Sequence, residues 1–172
     1  MKHFTIIIAL LITFATQVVA QDKQKGLEAY HANDYAEAVK LLSSLAEGGD
    51  WYLQRILGLI YKEGGNGISQ NYSTSVKWLR LAAAQADVQS QAYLGEMYEM
   101  GTGLLQDNLR SHMWYNIAAA NYKENLTSFF DWRAVAENYR NLIARRMTPE
   151  DLSKAQAMAR ECMSSGYTKC GY

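Results

Sequence analysis

The sequence has little of several residue types on which catalysis and recognition often depend. Its 172 residues include one proline, two cysteines and three histidines, and seventeen basic residues are balanced by seventeen acidic ones. No basic run or stripe is present, so the electrostatic footprint of a nucleic-acid-binding protein is missing and we predict no nucleic-acid partner. Scarce proline, together with twelve tyrosines and 49% apolar residues, favours packed helices over a disordered chain.

The few histidines also limit the chemistry that the chain can support. Neither His31 nor His112 has a second histidine, a cysteine or a carboxylate at a metal-ligand spacing, so we predict no metal and no cofactor. We interpret both as solvated or locally bonded, and we expect His112 among the exposed residues where a loop meets a helix. No serine, cysteine or histidine has the arrangement of a nucleophile with its base, so we predict no catalytic residues.

The longest apolar run lies near the N-terminus. A positive charge precedes apolar residues 4–14, and Val18, Val19 and Ala20 provide the small residues that a signal peptidase recognises. We predict that residues 1–20 are a signal peptide cleaved after Ala20; the alternative is an uncleaved anchor, for which the run is short. Cleavage would give a periplasmic or secreted protein without stable membrane insertion.

Two stretches of the chain repeat one another. One set of matching residues is separated by 37 positions and a second set by 36. A period in this range is typical of stacked repeat proteins, in which each unit buries its apolar face against the next. The matching pairs are Leu57 and Leu94, Gly58 and Gly95, Tyr61 and Tyr98, Gly64 and Gly101 at the longer separation, and Trp78 and Trp114, Ala82 and Ala118, Ala83 and Ala119 at the shorter.

The shared pattern consists of Leu-Gly-x-x-Tyr-x-x-Gly, a glycine-containing loop, and Trp-x-x-x-Ala-Ala. It resembles the Sel1-like repeat, a relative of the tetratricopeptide repeat. The resemblance implies that each unit is a pair of antiparallel helices and that the fold is an all-α, right-handed superhelix. The family consists mostly of scaffolds and adaptors, so the resemblance implies a function by contact with a protein or peptide and not by catalysis.

We predict three repeats in residues 21–123 and a C-terminal capping helix pair in residues 124–172. The first repeat, over residues 21–49, is degenerate because Leu41 stands where the later repeats have tryptophan. Atypical terminal units of this kind cap solenoids. Helices are expected over residues 21–31, 35–45, 50–63 and 72–86, and the same cycle is expected over residues 88–121.

The C-terminal segment has signals of its own. Apolar and aromatic residues at helical spacing predict a helix over residues 127–146. Thr148 is expected to cap the next helix, with Pro149 in its first position and Asp151 at the capping-box position. This stretch resembles the closing segment often found after bacterial Sel1-like repeats. The residues at helical spacing are Phe130, Trp132, Val135, Tyr139, Leu142 and Ile143.

Cys162 and Cys170 are the two cysteines, eight residues apart. In an exported chain such a pair predicts a structural disulfide that turns the tail back against the last helix. The alternatives are two free thiols or a redox pair, although the spacing is not that of Cys-x-x-Cys.

Glycines mark two kinds of position. Gly58 and Gly95 lie inside predicted helices, where glycine costs about 1 kcal/mol relative to alanine, and we interpret each as a point at which a partner helix approaches closely. Residues 64–67 are glycine-rich, but no Gly-Lys-Ser/Thr follows and both flanks are predicted helices, so we interpret them as a turn and not as a phosphate-binding loop.

The binding surface is predicted from the resemblance. In tetratricopeptide-like solenoids the first helix of each pair lines the concave groove, where we expect the partner to bind. Arginine beside exposed tyrosine is also a typical hot-spot composition. The expected groove residues are Tyr52, Gln54, Arg55, Lys62, Gln91, Tyr93, Glu96 and Glu99.

We therefore favour a non-catalytic interaction module of the adaptor, scaffold or inhibitor type, expected to be a monomer. The alternative is an envelope enzyme or a peptidoglycan-binding protein that uses Glu96 and Glu99, because glycoside hydrolysis needs two carboxylates beside a sugar. Glu150 and Asp151 are explained by the positive end of the helix dipole. A structural oligomer would need an exposed apolar patch.

Overall fold

The computed structural model describes residues 2–121 and 131–171, with side chains from residue 17 onwards. Within these residues the fold is all-α, as predicted. Three predicted features lie mostly or wholly outside the described residues: the connection over residues 121–125, the start of the next helix at Thr127, and Phe130. The helices are α1 (Lys2–His31), α2 (Tyr35–Glu47), α3 (Trp51–Glu63), α4 (Tyr72–Ala83), α5 (Val88–Met100), α6 (Asn108–Asn121), α7 (Trp132–Ala144) and α8 (Pro149–Ser164).

The helices stack in sequence order. Each helix from α1 to α6 has its main contacts with its immediate neighbours along the chain, whereas α7 packs on α6 and also touches α5. α6 packs against α5, α7 and α8, so both of the helices that follow the repeats rest on the last repeat. The result is an all-α repeat superhelix, which confirms the predicted fold class.

α1 is continuous from Lys2 to His31, so it includes the predicted signal peptide and the predicted first repeat helix. Among the described residues, no helix combines the length and the apolar content needed to cross a membrane. Cleavage after Ala20 stays a prediction.

The starts of the helices are fixed by polar residues that recur with the repeat. Asp50 and Asp87 cap α3 and α5, and their carboxylates accept backbone N–H groups two or three residues further on. Asp34, Asn71 and Asp107 do the same for α2, α4 and α6. An N-cap oxygen satisfies a backbone donor that has no partner inside the helix. The second helices of all three repeats therefore begin at equivalent positions, and so do the first helices of the second and third repeats.

α7 begins later than the sequence analysis predicted. Asp131 has a non-helical backbone, and its carboxylate accepts the N–H of Ala134, so the helix starts at Trp132. The prediction of one continuous helix over residues 127–146 was wrong because Asp131 interrupts it, and apolar spacing alone does not show such a cap. The helix ends at Ala144, two residues before the predicted end, which is within the usual variation of helix boundaries. Thr148 and Pro149 begin α8 as predicted.

In the second and third repeats a glycine of the first helix faces a large side chain of the second helix. A Cβ atom on Gly58 would lie 2.7 Å from Cγ of Leu79, and one on Gly95 would lie 3.0 Å from the Tyr115 ring. These distances confirm that the two helices of each pair approach closely at the glycine. Any larger residue has to displace the facing side chain.

Gly26 has the same place in the first repeat. A Cβ atom there would clash with Leu42, the residue 37 positions before Leu79. The sequence comparison missed Gly26 because the link between α1 and α2 is shorter than the later links, which moves the glycine out of the 37-residue register.

Most of the repeated residues are buried. Trp114 is fully buried, whereas its counterpart Trp78 is only partly buried and packs against the core of the first two repeats. The other buried members are Leu57, Gly58, Ala82, Ala83, Leu94, Gly95, Tyr98 and Ala118, and the partly exposed ones are Tyr61, Gly64, Gly101 and Ala119.

The C-terminal tail is fastened to the last repeat. Cys162 and Cys170 form the predicted disulfide, with a Cα–Cα distance of 4.5 Å. Both cysteines are buried in the cluster that α4, α5 and α6 share with α8. The Tyr167 hydroxyl donates to Oδ1 of Asn121 at 3.0 Å. The disulfide-closed tail therefore covers one side of α6.

His112 is not the exposed residue that the sequence analysis expected. It lies inside α6 and is only 2% exposed. Its Nδ1 has no hydrogen-bond partner among the described residues. Burial lowers the pKa of His112, and the positive charge of Arg140 lowers it further. The prediction was wrong because the loop before α6 ends at Asp107, which places His112 a full turn inside the helix.

The buried His112 predicts a pH-dependent stability. Because its pKa is lower in the folded state than the ordinary value of about 6.5, its contribution is fully present above that pH and is lost as the pH falls towards the folded-state pKa. In urea titrations from pH 7 to pH 5, the free energy of unfolding should fall by up to ~1.4 kcal/mol per pH unit from this residue.

His112→Gln should flatten that dependence, whereas His31→Gln, at an exposed position, should keep it. Equal slopes for wild type and His112→Gln would show that another group controls stability in this range.

Candidate functional site

Helices α3 and α5 bring several of the predicted groove residues together. Nζ of Lys62 on α3 is 3.2 Å from Oε1 of Glu96 on α5 and 5.2 Å from the centre of the Tyr93 ring. The Tyr93 ring in turn lies 5.5 Å from the Trp132 ring of α7, centre to centre. We call this face the groove surface, and define it by Lys62, Tyr93, Glu96, Glu99 and Trp132. Tyr52, also predicted for the groove, contacts Trp51 and Arg55 instead.

Gln54 and Gln91 do not belong to the groove surface, and the prediction for them was wrong. They are 3% and 0% exposed, and their side-chain amides donate to the carbonyl oxygens of Ala46 and Ala83 at 2.9 and 3.1 Å. Each adds a second donor to a carbonyl near the end of the preceding helix, which also accepts a backbone N–H from the turn. The two glutamines are themselves 37 positions apart, so the repeat contained the signal that they are structural.

Arg55 also acts within the fold. Its Nη1 lies 2.6 Å from Oδ1 of Asp87, and the two side chains are 12% and 5% exposed. The guanidinium is also 5.4 Å from the centre of the Trp51 ring and 5.0 Å from that of Tyr52. Arg55 therefore holds α3 to the start of α5, and it does not present the free guanidinium expected of a hot spot.

A pocket of about 420 Å³ lies between α5 and α7. Tyr93 and Trp132 form one aromatic wall. Tyr115 of α6 and Tyr139 of α7 form a second, with ring centres 5.4 Å apart and ring planes 13° from parallel. Four aromatic rings from three helices thus surround a single cavity on the groove surface.

Two carboxylates also line this pocket, those of Glu96 and Glu99. Glu96 pairs with Lys62, and Oε1 of Glu99 is 3.2 Å from Nη1 of Arg146, which lies in the turn before α8. The Glu99 side chain is 16% exposed and that of Arg146 is 53% exposed. Both acids are therefore in ion pairs, one of them with a loosely held partner.

Two tyrosines of the pocket, Tyr93 and Tyr115, have raised pKa values and are neutral at physiological pH. Burial raises the pKa of Tyr115, and the negative charges of Glu99 and Glu96 raise it further. Burial likewise raises the pKa of Tyr93, again with a contribution from Glu96. Neutral phenols keep their O–H donors, so both hydroxyls can donate to a ligand or to a carboxylate.

Sequence analysis named six of the nine pocket residues, three as groove residues and three by their helical spacing, and missed the other three. Tyr115 was missed because it is not a repeated residue, since leucine stands 36 positions earlier in the second repeat. Met100 and Ala92 gave no signal, since neither belongs to the repeat pattern. No cluster of three metal-ligating side chains occurs in residues 2–121 and 131–171 where they are described.

Comparison with known proteins identifies the family of the repeat. The model of one family, described as Sel1 repeat, matches residues 19–50, 52–87 and 88–122. The crystal structure of c5321, a protective antigen present in uropathogenic Escherichia coli strains and displaying an SLR fold, matches 87% of this chain with 20% identity and a TM-score of 0.73. This chain spans 31% of that protein.

A second solved structure, that of a Sel1 repeat protein from Oxalobacter formigenes, matches 63% of this chain and 91% of its own, with 27% identity and a TM-score of 0.46. The comparison with curated proteins gives no match.

Proposed function

Since the chain belongs to the Sel1 repeat family, whose members are generally protein-interaction modules, we propose that it is an exported, non-catalytic module that binds a protein or peptide on its groove surface. Export is supported by the predicted signal peptide and by the disulfide, because disulfides persist in oxidising compartments.

The observation that carries the proposal is the aromatic pocket between α5 and α7. Tyrosine and tryptophan are enriched at the centres of protein interfaces, since they bury a large area at a small entropic cost. Tyr139 and Met100 at this pocket are 42% and 65% exposed, although both are apolar enough to favour burial. A partner side chain in the pocket would cover them.

The test is the capture of a partner from periplasmic extract of the source organism by the protein expressed from its full sequence. The variant Tyr139→Ser removes a pocket wall, and the matched control Leu81→Ser changes an apolar residue of α4 that is 49% exposed. We expect one dominant protein that is lost with Tyr139→Ser and kept with Leu81→Ser. A partner kept equally by both variants, or no enriched protein at all, would contradict groove binding.

The envelope-enzyme alternative has less support in the geometry. Glu96 and Glu99 come from one helix, and both are in ion pairs, with Lys62 and Arg146. A general acid and its partner carboxylate need environments that differ, so that one is protonated while the other is ionised. No contact of the described residues separates the two acids in this way.

A further inference from the structure

Three of the pocket residues differ from the residues at the equivalent positions of the second repeat. Glu96 and Glu99 stand 37 positions after Leu59 and Lys62, and Tyr115 stands 36 positions after Leu79. The second repeat forms the same helix pair without acids or a tyrosine at these places. Helix pairing therefore does not require them. Their contacts reach neighbouring units instead, with Glu96 paired to Lys62 of the second repeat, and Glu99 and Tyr115 in contact with Arg146 and Tyr139 beyond the repeats.

The chain itself shows which charge the rim of this pocket accepts. The ammonium of Lys62 lies 3.2 Å from Glu96 and 5.2 Å from the centre of the Tyr93 ring. A carboxylate on one side and an aromatic face on the other is an established combination for holding a cation. One cation is thus already bound at the rim by pocket residues.

Glu99 holds a second cation, but weakly. Its described partner is Nη1 of Arg146 at 3.2 Å, and the Arg146 side chain is half exposed. An exposed pair of this kind contributes little, because water screens the charges and two long side chains lose their freedom. The Glu99 side chain is itself only 16% exposed, so a cation that reached its carboxylate from within the pocket would be better shielded from water.

We propose that the pocket binds an arginine side chain of the partner, whose guanidinium pairs with Glu99 in place of Arg146 and lies against the aromatic walls. This inference rests on the proposed function, since it names the chemistry that the groove surface recognises. Arginine fits better than lysine because a planar guanidinium can both stack on rings and form two parallel hydrogen bonds with a carboxylate. Arg146 acts as an internal substitute while the partner is absent.

The probe is the peptide acetyl-Gly-Gly-Arg-Gly-Gly-amide, compared with its citrulline counterpart, which has nearly the same shape without the charge. Binding is measured by NMR titration of the protein expressed from its full sequence. We expect the arginine peptide to bind ~10-fold more tightly than the citrulline peptide, because the charged pair and the cation–π contact are both lost with citrulline.

Two variants test the assignment within the pocket. Glu99→Gln should abolish the preference for arginine, and Arg146→Ala should strengthen binding of the arginine peptide several-fold, because the internal competitor is removed. Glu150→Gln, at an exposed acid of α8, is the matched control and should leave the preference for arginine unchanged. Thermal unfolding of each variant shows whether a lost preference reflects a lost fold.

Equal binding of the two peptides, no binding of either, or an arginine preference that survives Glu99→Gln would overturn the proposal. The competing occupant of the pocket is an N-acetylglucosamine oligomer. If its binding depends on Trp132 and the arginine peptide does not compete with it, the pocket binds a glycan and the proposal is overturned.

The capture experiment separates this inference from the proposed function. If a captured partner is lost with Tyr139→Ser but is not displaced by saturating arginine peptide, the arginine inference fails and the proposed function stands. If the pocket prefers the arginine peptide but no captured partner is lost with Tyr139→Ser, the pocket assignment stands and the proposed function fails.

Discussion

Gly58→Leu should lower the free energy of unfolding by about 3 kcal/mol or more, because the new side chain has to occupy space that Leu79 already fills. A Cβ atom alone would lie 2.7 Å from Cγ and 2.8 Å from Cδ2 of Leu79. Gly58 also accepts the Ser75 hydroxyl through its carbonyl oxygen at 2.7 Å, in the buried contact between α3 and α4. The measurement is urea unfolding followed by circular dichroism.

The sign of the stability change in Gly58→Ala tests the same contact. In an unconstrained helix this change gains about 1 kcal/mol, so a destabilised Gly58→Ala variant would itself demonstrate the steric contact. The double variant Gly58→Ala/Leu79→Ala should lose less stability than the sum of the two single losses, since the added methyl group then enters the space that Leu79 leaves. Strict additivity, or a stabilised Gly58→Ala, would refute close approach at this glycine.

Asp87→Ala should cost about 3–5 kcal/mol, because it leaves the Arg55 guanidinium buried without its partner. The Asp87 carboxylate is 2.6 Å from Arg55 and also caps α5 by accepting the N–H of Ser90 at 2.9 Å. One substitution thus removes an ion pair that joins two repeats and the cap of a helix. The midpoint of urea unfolding should fall accordingly.

The first two repeats contain a matched control. Asp50 caps α3 as Asp87 caps α5, but its partner Lys23 is 42% exposed, so water can solvate the ammonium when the carboxylate is removed. Asp50→Ala should therefore cost only about 1–2 kcal/mol, close to the value of a cap alone. Asp87→Asn, which keeps a capping oxygen without the charge, should be intermediate. Equal losses at Asp50 and Asp87 would show that the buried pair adds nothing to the cap.

The corrections at the candidate site follow from these internal contacts. The sequence analysis placed Gln54, Arg55 and Gln91 in the groove because polar residues on the first helices were expected to face a partner. In the structure all three side chains face other parts of the chain, at Ala46, Asp87 and Ala83. A polar residue on a helix can satisfy either solvent or a neighbouring helix, and only the neighbour's position decides which.

The sequence by itself determined the features that depend on short separations or on the repeat. The helix pairs, the N-cap at Thr148, the close approach at Gly58 and Gly95, and the disulfide between Cys162 and Cys170 all follow from local chemistry or from a period of 36–37 residues. Each of these depends on residues in one helix, in two adjacent helices, or in equivalent positions of successive units.

Only the tertiary structure decided how the last four helices come together. The pocket joins Tyr93, Tyr115 and Tyr139, which lie in three different helices, and the repeat period does not extend to α7. The positions of α7 and α8 on α6 depend on how side chains from distant parts of the chain pack. Packing of this kind is cooperative and close to solid density, so the cavity that remains cannot be derived from the properties of the separate helices.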